Sequence, residues 1–179
     1  SGAHSGSGAN LTSLPAANLT GTLPAISGAN LTGIVSVVKQ VVTGTTTTQA
    51  YKSNNSTLGD TGLTATITPA SGTKILVIIN QPFYVASYNF NGDSRGRIKV
   101  LRDSTELTTQ VLGHDSVNDG WFELWANFAF TYLDTHGANG STAVTYKTQY
   151  AGNSNVEAYV QRASEGYAQR ANISLLEVE

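Results

Sequence analysis

The chain contains no cysteine and no methionine, and charged residues are scarce. Without cysteine, neither a disulfide framework nor a thiolate metal site can form. Because methionine is missing even at position 1, we expect the 179 residues to be a fragment or a processed product, with the opening SGAHSGSG partly derived from cloning. Lys, Arg, Asp and Glu make up 12% of the chain, about half the usual fraction. A surface of Thr, Ser, Asn and Gly is typical of virion-surface or extracellular proteins and of subunits that bury much of themselves in an assembly.

The sequence also lacks the features of nucleic-acid-binding proteins, membrane-inserted proteins, metal sites and common enzyme classes. The net charge of −2 makes nucleic acid an unexpected partner, and the longest strongly apolar run, Ile75–Ile79, is too short for membrane insertion. His4, His114 and His136 have no His or Cys at metal-ligand spacing. There is no nucleophile elbow and no glycine-rich phosphate or dinucleotide motif. We therefore predict a protein that is not an enzyme and that uses no metal and no cofactor.

The first 33 residues repeat one tetrapeptide. Ala-Asn-Leu-Thr begins at Ala9, Ala17 and Ala29, with Leu-Pro-Ala between the copies. One apolar residue every few positions cannot bury a core alone, and Pro15 and Pro24 exclude an interior helix. Disorder is the alternative interpretation. We predict that residues 1–33 form an intertwined stalk in a homo-oligomer, with interface residues Leu19, Leu23, Ile26, Leu31 and Ile34.

Residues 34–179 form the second predicted domain, which is all-β. Helical periodicity is nearly absent, and Thr, Val, Ile and Tyr dominate between turn signals. Eight or more short strands in succession indicate an antiparallel β-sandwich and favour a jelly roll. The predicted strands are Val35–Thr43, Thr45–Tyr51, Leu63–Thr68, Lys74–Tyr84, Arg97–Arg102, Glu106–Gly113, Trp121–Tyr132, Ala143–Tyr150, Val156–Arg162 and Ala171–Val178.

Two of these strands predict contacts with another subunit. Ile75–Ile79 is apolar on both faces, so we expect both faces to be covered, the second one by loops of the opposite sheet or by another subunit. In the strand that begins at Trp121, we assign one alternating face to the core: Phe122, Leu124, Ala126, Phe128, Phe130 and Tyr132. The opposite face, which would otherwise contact solvent, carries Trp121 and Trp125. A subunit interface explains two tryptophans on such a face. We therefore predict that Ile78 and Trp125 belong to a subunit interface.

The segment NLTGTLPAISGANLTGI resembles the repeated stalk of bacteriophage tail fibres, particularly those of marine and cyanobacterial phages. DTGLTATITPASGTKILV, IKVLRDSTEL, YLDTHGANGSTAVTYKTQY and ANISLLEVE are similar to the C-terminal β-sandwich domain of such fibres, and the matches cover most of the chain. The resemblance implies a homotrimer on the virion surface, with three stalks wound together and three jelly rolls around a threefold axis, as in the heads of complement C1q and tumour necrosis factor. It also implies host-surface recognition or a structural role in a fibre. Phage head fibres and capsid decoration proteins share this layout.

Glycan binding requires an aromatic platform flanked by polar or charged side chains. The segment PFYVASYNFNGDSRGR and the loop before Trp121 have this composition. The residues predicted to bind a receptor glycan are Tyr88, Asn91, Asp93, Arg95, His114, Asp119 and Trp121. His114-Asp115 followed by Asp119 also resembles a metal or acid–base pair, but a polar loop has the same composition. Tyr84 and Phe90 are expected to pack in the core or an interface.

Three functional hypotheses follow. In the first, a homotrimeric fibre protein uses its C-terminal head to contact a glycan or protein of the host surface, and its N-terminal stalk to contact other virion proteins. In the second, a capsid or baseplate decoration protein has the same architecture without receptor recognition. In the third, a fibre tip degrades polysaccharide, which would require two carboxylates at a separation that a sequence does not reveal.

Overall fold

The computed structural model describes residues 37–87, 94–114, 122–153, 156–163 and 169–179. Residues 1–33 lie outside these ranges, so the stalk, the division at residue 34 and the stalk interface residues (Leu19, Leu23, Ile26, Leu31 and Ile34) stay predictions. Within the described ranges, no helix is long and apolar enough to cross a membrane. The strands are β1 (Val38–Thr46), β2 (Ala50–Ser53), β3 (Gly59–Ile67), β4 (Lys74–Ser87), β5 (Ser94–Arg102), β6 (Thr105–His114), β7 (Phe122–Asp134), β8 (Val144–Gly152), β9 (Glu157–Val160) and β10 (Ala171–Val178).

Eight of these strands form four nested antiparallel pairs. β5 pairs with β6, β4 with β7, β3 with β8 and β1 with β10. Successive pairs alternate between two sheets, so the first sheet contains β1-β10-β4-β7 and the second β3-β8-β5-β6. One long hairpin wrapped into two packed sheets in this order is a jelly roll. The predicted all-β class and jelly-roll sandwich are therefore confirmed.

The two remaining strands widen the first sheet. β10 pairs with the first half of β4, and β9 pairs with Phe83–Ala86 on the same edge of β4. β2 pairs with β9 in turn. On its other edge β4 pairs with β7 from Ile75 to Ser87, and β7 pairs with no second strand among the described residues. β7 is thus an edge strand of thirteen residues.

All ten predicted strands overlap observed ones, but some boundaries were wrong. The predicted strand Thr45–Tyr51 combines the end of β1 with the start of β2, and residues 47–49 separate the two. Thr45 and Thr46 belong to β1 because they lie opposite Asn172 and Ala171 of β10. Pairing with a distant strand, rather than local composition, decides this boundary.

The core lies between the two sheets, where inward residues of β3, β4, β5, β8 and β10 are buried. Ile75, Val77 and Ile79 of β4 point into it, as predicted. The outer face of the same run is not covered in the single chain, because Ile78 remains 36% exposed. The prediction is therefore confirmed for the inner face, and cover of the outer face by another subunit stays a prediction.

The face assignment for β7 is confirmed by its register with β4. Phe128 lies opposite the buried Gln81 and is itself buried, while Phe122, Leu124, Ala126 and Phe130 on the same face are partly buried. Tyr132 shares this face but is half exposed, so its assignment to the core was wrong. The reason is its place on an edge strand, where no further strand among the described residues covers its free side.

β1 packs closely against β3 of the second sheet. Gly44 of β1 faces β3, and a Cβ atom at this position would lie 2.0 Å from the carbonyl oxygen of Thr64. No residue with a side chain fits there without moving one of the two backbones. Gly44 therefore permits the close approach of the two sheets at this edge.

The sandwich has two distinct ends. Val37 and Glu179 lie together at one end, which we call the base, since the Glu179 amide donates to the Val37 carbonyl oxygen at 3.3 Å. The opposite end, which we call the distal end, contains the ends of β4 and β6 and the starts of β5 and β7. Val37, where the described chain begins, is thus separated from the distal end by the length of the strands.

Candidate functional site

Four aromatic side chains form one row across four neighbouring strands on the outer face of the first sheet. Tyr51 of β2 lies opposite Tyr159 of β9, Tyr159 opposite Tyr84 of β4, and Tyr84 opposite Trp125 of β7. The successive ring centroids are 4.4, 5.6 and 4.5 Å apart. Because directly opposite residues share a face, strand register alone brings these four rings together. We call them the aromatic row.

Arg162 lies over the middle of the aromatic row. Its guanidinium carbon is 3.9 Å from the ring centroid of Tyr84, 5.0 Å from that of Trp125 and 4.9 Å from that of Tyr159. A guanidinium at these distances is attracted by the ring faces. Tyr84 is buried, whereas the end members Tyr51 and Trp125 are 46% and 44% exposed. The row therefore presents two separate aromatic surfaces to solvent, one at each end.

Tyrosine hydroxyls of the row hold the Glu157 carboxylate. Tyr51 donates to its Oε1 at 2.9 Å, and Tyr159 donates to its Oε2 at 3.3 Å. Burial, with the negative charge of Glu157 adding to it, raises the pKa of Tyr159 to about 12. Tyr159 therefore remains a protonated donor at neutral pH.

A second carboxylate lies on the same face. Ala86 of β4 lies between Glu123 of β7 on one side and Glu157 of β9 on the other. The hydroxyl of Tyr84 donates a hydrogen bond to Oε1 of Glu123. Each carboxylate is thus engaged by the row, an arrangement that fixes ring positions.

An open cavity of about 460 Å³ adjoins Trp125. It extends from the indole toward Asn127, on the side away from Glu123, and its other polar groups are the side chains of Gln169 and Arg170. Pro82 and Ala126 also line it. Arg170 is exposed, and no acidic residue in the described ranges forms an ion pair with it. One aromatic face, two amides and one guanidinium therefore meet in this cavity.

A smaller cavity of about 190 Å³ lies at the base. Behind it the buried Glu177 carboxylate accepts from the amide of Ala70 at 2.9 Å and from the hydroxyl of Thr73 at 3.0 Å. Nδ1 of His136 accepts from the amide of Ala138 at 2.9 Å, and its Nε2 lies 3.3 Å from the Thr73 hydroxyl. These bonds join two base loops to β10. In the described part of the chain, no three His, Asp or Glu residues cluster in a way that would hold a metal ion.

Most residues predicted to bind a receptor lie outside the described ranges: Tyr88, Asn91, Asp93, Asp119 and Trp121. The structure does place the segments that flank them. Ser87 lies opposite Phe122, and Ser94 lies opposite His114, whose side chain is not described. Arg95 is half-buried on β5, and its carbonyl oxygen accepts from the amide of Asn153 at 2.9 Å. Both predicted connections therefore start and end together at the distal end, and their binding role stays a prediction.

The predicted interface residues Ile78 and Trp125 share the outer face of the first sheet but have different surroundings. Trp125 belongs to the aromatic row. Ile78 lies between Ser174 and Thr131, next to a line of aliphatic side chains that follows the register of four strands. We call this line the aliphatic row, and its members are Val41, Leu176, Leu76 and Leu133. Val41 is 58% exposed and Leu133 is 47% exposed.

The outward side chains of β1, β10, β4 and β7 carry no charge between Lys74 at the base and Glu123 near the distal end. Arg162 and Arg170, which also lie on this face of the first sheet, belong to the connection between β9 and β10. The outward residues of the described strands in this region are Val41, Thr43, Thr45, Asn172, Ser174, Leu176, Leu76, Ile78, Asn80, Pro82, Asn127, Ala129, Thr131 and Leu133. The second sheet differs, since its outer face includes Arg97, Lys99, Lys147 and Asp60. The two outer faces are thus chemically distinct.

Comparisons with known proteins identify no family. No family model and no curated protein matches the chain. Among solved structures, a mutant VP2 protein of infectious bursal disease virus in derived T=1 particles is similar to this chain, at 14% identity and a TM-score of 0.35. The similar region covers 88% of this chain and 41% of the VP2 chain. The Gx strain of that virus gives a TM-score of 0.34 at 14% identity, over 93% of this chain and 46% of the other. The chain spans less than half the length of both, and its strand order defines the fold independently of this weak similarity.

Proposed function

We propose that this chain is a subunit of a homotrimeric phage fibre on the virion surface, whose head contacts the host cell. The observation that carries the proposal is the part of the first sheet's outer face around the exposed aliphatic row, where the outward side chains of β1, β10, β4 and β7 carry no charge. Charged residues are depleted at the centre of subunit interfaces, and large exposed apolar patches are rare on monomers. This face therefore has the composition of a surface that another copy of the chain covers.

The energetics favour the same conclusion. Fully burying an aliphatic side chain of this size stabilises by roughly 1.5–3 kcal/mol. Ile78, Leu133 and Val41 are 36%, 47% and 58% exposed, so roughly 1 kcal/mol remains to be gained from each. In a cyclic trimer this gain applies to every copy.

The choice of a trimer rests on the repeat in residues 1–33 and on its resemblance to phage fibre stalks. A segment with regularly spaced leucines and helix-excluding prolines completes its packing against copies of itself. A closed cyclic homo-oligomer meets this need and covers the uncharged face at the same time.

The distal end is the proposed receptor-contacting region. Both connections that the sequence singles out start and end there, on the side of the sandwich opposite Val37. Three weak sites on one trimer would raise avidity for a repetitive surface glycan.

Light scattering on the full chain tests the assembly, and we expect a trimer at micromolar concentration. Ile78→Asp should dissociate it, since the substitution introduces a charge among the uncharged outward side chains of β10, β4 and β7. Val111→Asp is the matched control, because Val111 is also an exposed aliphatic residue but lies on the second sheet opposite Arg97. A wild-type monomer, or equal dissociation by both variants, would overturn the proposed interface.

Competition for adsorption tests the role in recognition. Saturating amounts of the purified trimer should reduce adsorption of the virus that carries this protein to its host cells. Unchanged adsorption would favour the alternative, a capsid or baseplate decoration protein that uses the same interface without recognising a receptor.

A further inference from the structure

We propose that the cavity beside Trp125 binds a carboxylated saccharide, that is, an acidic sugar unit of a surface polysaccharide. The inference rests on the proposed contact with the host surface. It names the ligand class and a binding site on the outer face of the first sheet, outside the distal connections that the sequence singles out. It also assigns Trp125 to ligand binding, in place of the predicted trimer interface.

Trp125 provides a platform that is held in position before any ligand arrives. Its ring lies 4.5 Å from the ring of the buried Tyr84, whose hydroxyl is in turn held by Glu123. Arg162 lies 5.0 Å from the Trp125 ring and fixes it further. The exposed indole surface can therefore stack against the apolar C–H face of a pyranose ring without first losing conformational freedom.

The polar groups around the platform match the other groups of an acidic sugar. Asn127 follows Trp125 by two positions on the same face of β7, and Gln169 and Arg170 line the same cavity. Amide side chains donate to and accept from hydroxyls. The planar guanidinium of Arg170 matches a carboxylate, to which it can donate two parallel hydrogen bonds.

The local charge favours an anion over a neutral sugar. Among the described residues, Arg170 is the one charged member of the cavity lining. The nearest carboxylate along β7, Glu123, lies beyond Trp125 and is engaged by Tyr84. Because the outward side chains of β7 from Asn127 to Leu133 include no acidic residue, a sugar carboxylate at the cavity would meet a positive charge without a competing negative one from this strand.

The cavity beside Trp125 and the aliphatic row are suited to different partners. The aliphatic row offers no hydrogen-bonding side chain and lies toward the base, whereas the cavity is open and combines one ring with three polar groups. Saccharide sites have the second composition. The two surfaces can therefore be tested by separate substitutions.

The experiment titrates the full-chain trimer with a trisaccharide that contains glucuronate and with its carboxyl-reduced counterpart, by calorimetry. We expect the acidic trisaccharide to bind at least about tenfold more tightly, in keeping with a hydrogen-bonded charge pair. Trp125→Ala should abolish binding of both sugars. Arg170→Gln should remove the preference for the acidic one, while Lys74→Gln, which changes a charge outside the cavity, should leave both affinities unchanged.

Each contrary result overturns a defined part of the proposal. Equal affinity for the two trisaccharides in the wild type overturns the carboxylate preference. Dissociation of the trimer by Trp125→Ala overturns the assignment of Trp125 to ligand binding. If neither sugar binds while the trimer still competes for adsorption, this saccharide site is wrong and the proposed function stands.

Discussion

Arg102 of β5 and Asp134 of β7 form an ion pair that joins the two sheets. One guanidinium nitrogen of Arg102 donates to the two carboxylate oxygens at 2.8 and 2.9 Å and to the carbonyl oxygen of Thr135 at 3.0 Å. Tyr146 of β8 donates to the same carboxylate at 2.7 Å. Burial, and then the hydrogen bond to Asp134, raise the pKa of Tyr146 well above its ordinary value, so its hydroxyl remains a donor. The edge strand β7 is thereby held to the second sheet at the base.

Asp134→Asn should destabilise the head by about 3 kcal/mol, because it leaves the Arg102 guanidinium without its counter-charge beside the core. Urea unfolding at a fixed protein concentration measures the effect. Glu179→Gln is the control, since it removes an ion pair with Lys39 in which both side chains are largely exposed, and such pairs contribute little. Similar losses in the two variants would show that the Arg102–Asp134 pair does not hold the sheets together.

The sequence predicts the faces of single strands much better than the contacts between strands. Alternation along β7 identified the inward face that contains Phe128, because side-chain direction in a strand has a period of two. The same alternation placed Trp125 on the outer face. It could not show that Tyr51 and Tyr159 lie beside it, since that contact depends on the register of four strands that are distant in the chain.

Arg162 and Arg170 illustrate a second limit of the sequence. Both lie in or near the connection between β9 and β10, where local pattern gives no direction to a side chain. Their positions over the aromatic row and in the cavity follow from where β9 and β10 meet β4. The candidate site was therefore missed, although the strands that carry its aromatic residues were predicted.

Gly44→Ala should destabilise the head by about 3 kcal/mol, the upper end for overpacking, because the new methyl group would meet the backbone of Thr64 rather than a flexible side chain. Thermal unfolding followed by circular dichroism measures the shift. Thr43→Ala serves as the control, since its exposed neighbouring position tests the loss of a polar surface group alone. If Gly44→Ala melts like the wild type, β1 and β3 do not approach as closely as described.

Stability should fall as the pH rises from about 10 to about 12. Burial raises the pKa of Tyr150 to about 12, above its ordinary value of about 10 in the unfolded chain. A group with a raised folded-state pKa contributes its full stability below the unfolded pKa and loses that contribution as the pH approaches the folded one. Tyr150→Phe should therefore show a shallower loss between about pH 9 and about pH 11.5 in urea unfolding. An unchanged slope in this variant would contradict the buried position of the Tyr150 hydroxyl.

Gln81→Met should stabilise the head. Gln81 lies on the inner face of β4 opposite Phe128 and is fully buried, and neither of its amide atoms forms a hydrogen bond with another residue in the described ranges. Burying an amide without partners costs roughly 1–3 kcal/mol, and the unbranched thioether of methionine fills a similar volume without that cost. We expect a gain of about 1 kcal/mol in urea unfolding. Gln149→Met is the control and should bring no gain, because the Gln149 amide donates to Asp60 at 2.8 Å on the outer face of the second sheet. A loss of stability in Gln81→Met would show that the buried amide is hydrogen-bonded in the folded protein and that the inner face of β4 requires a polar group at this position.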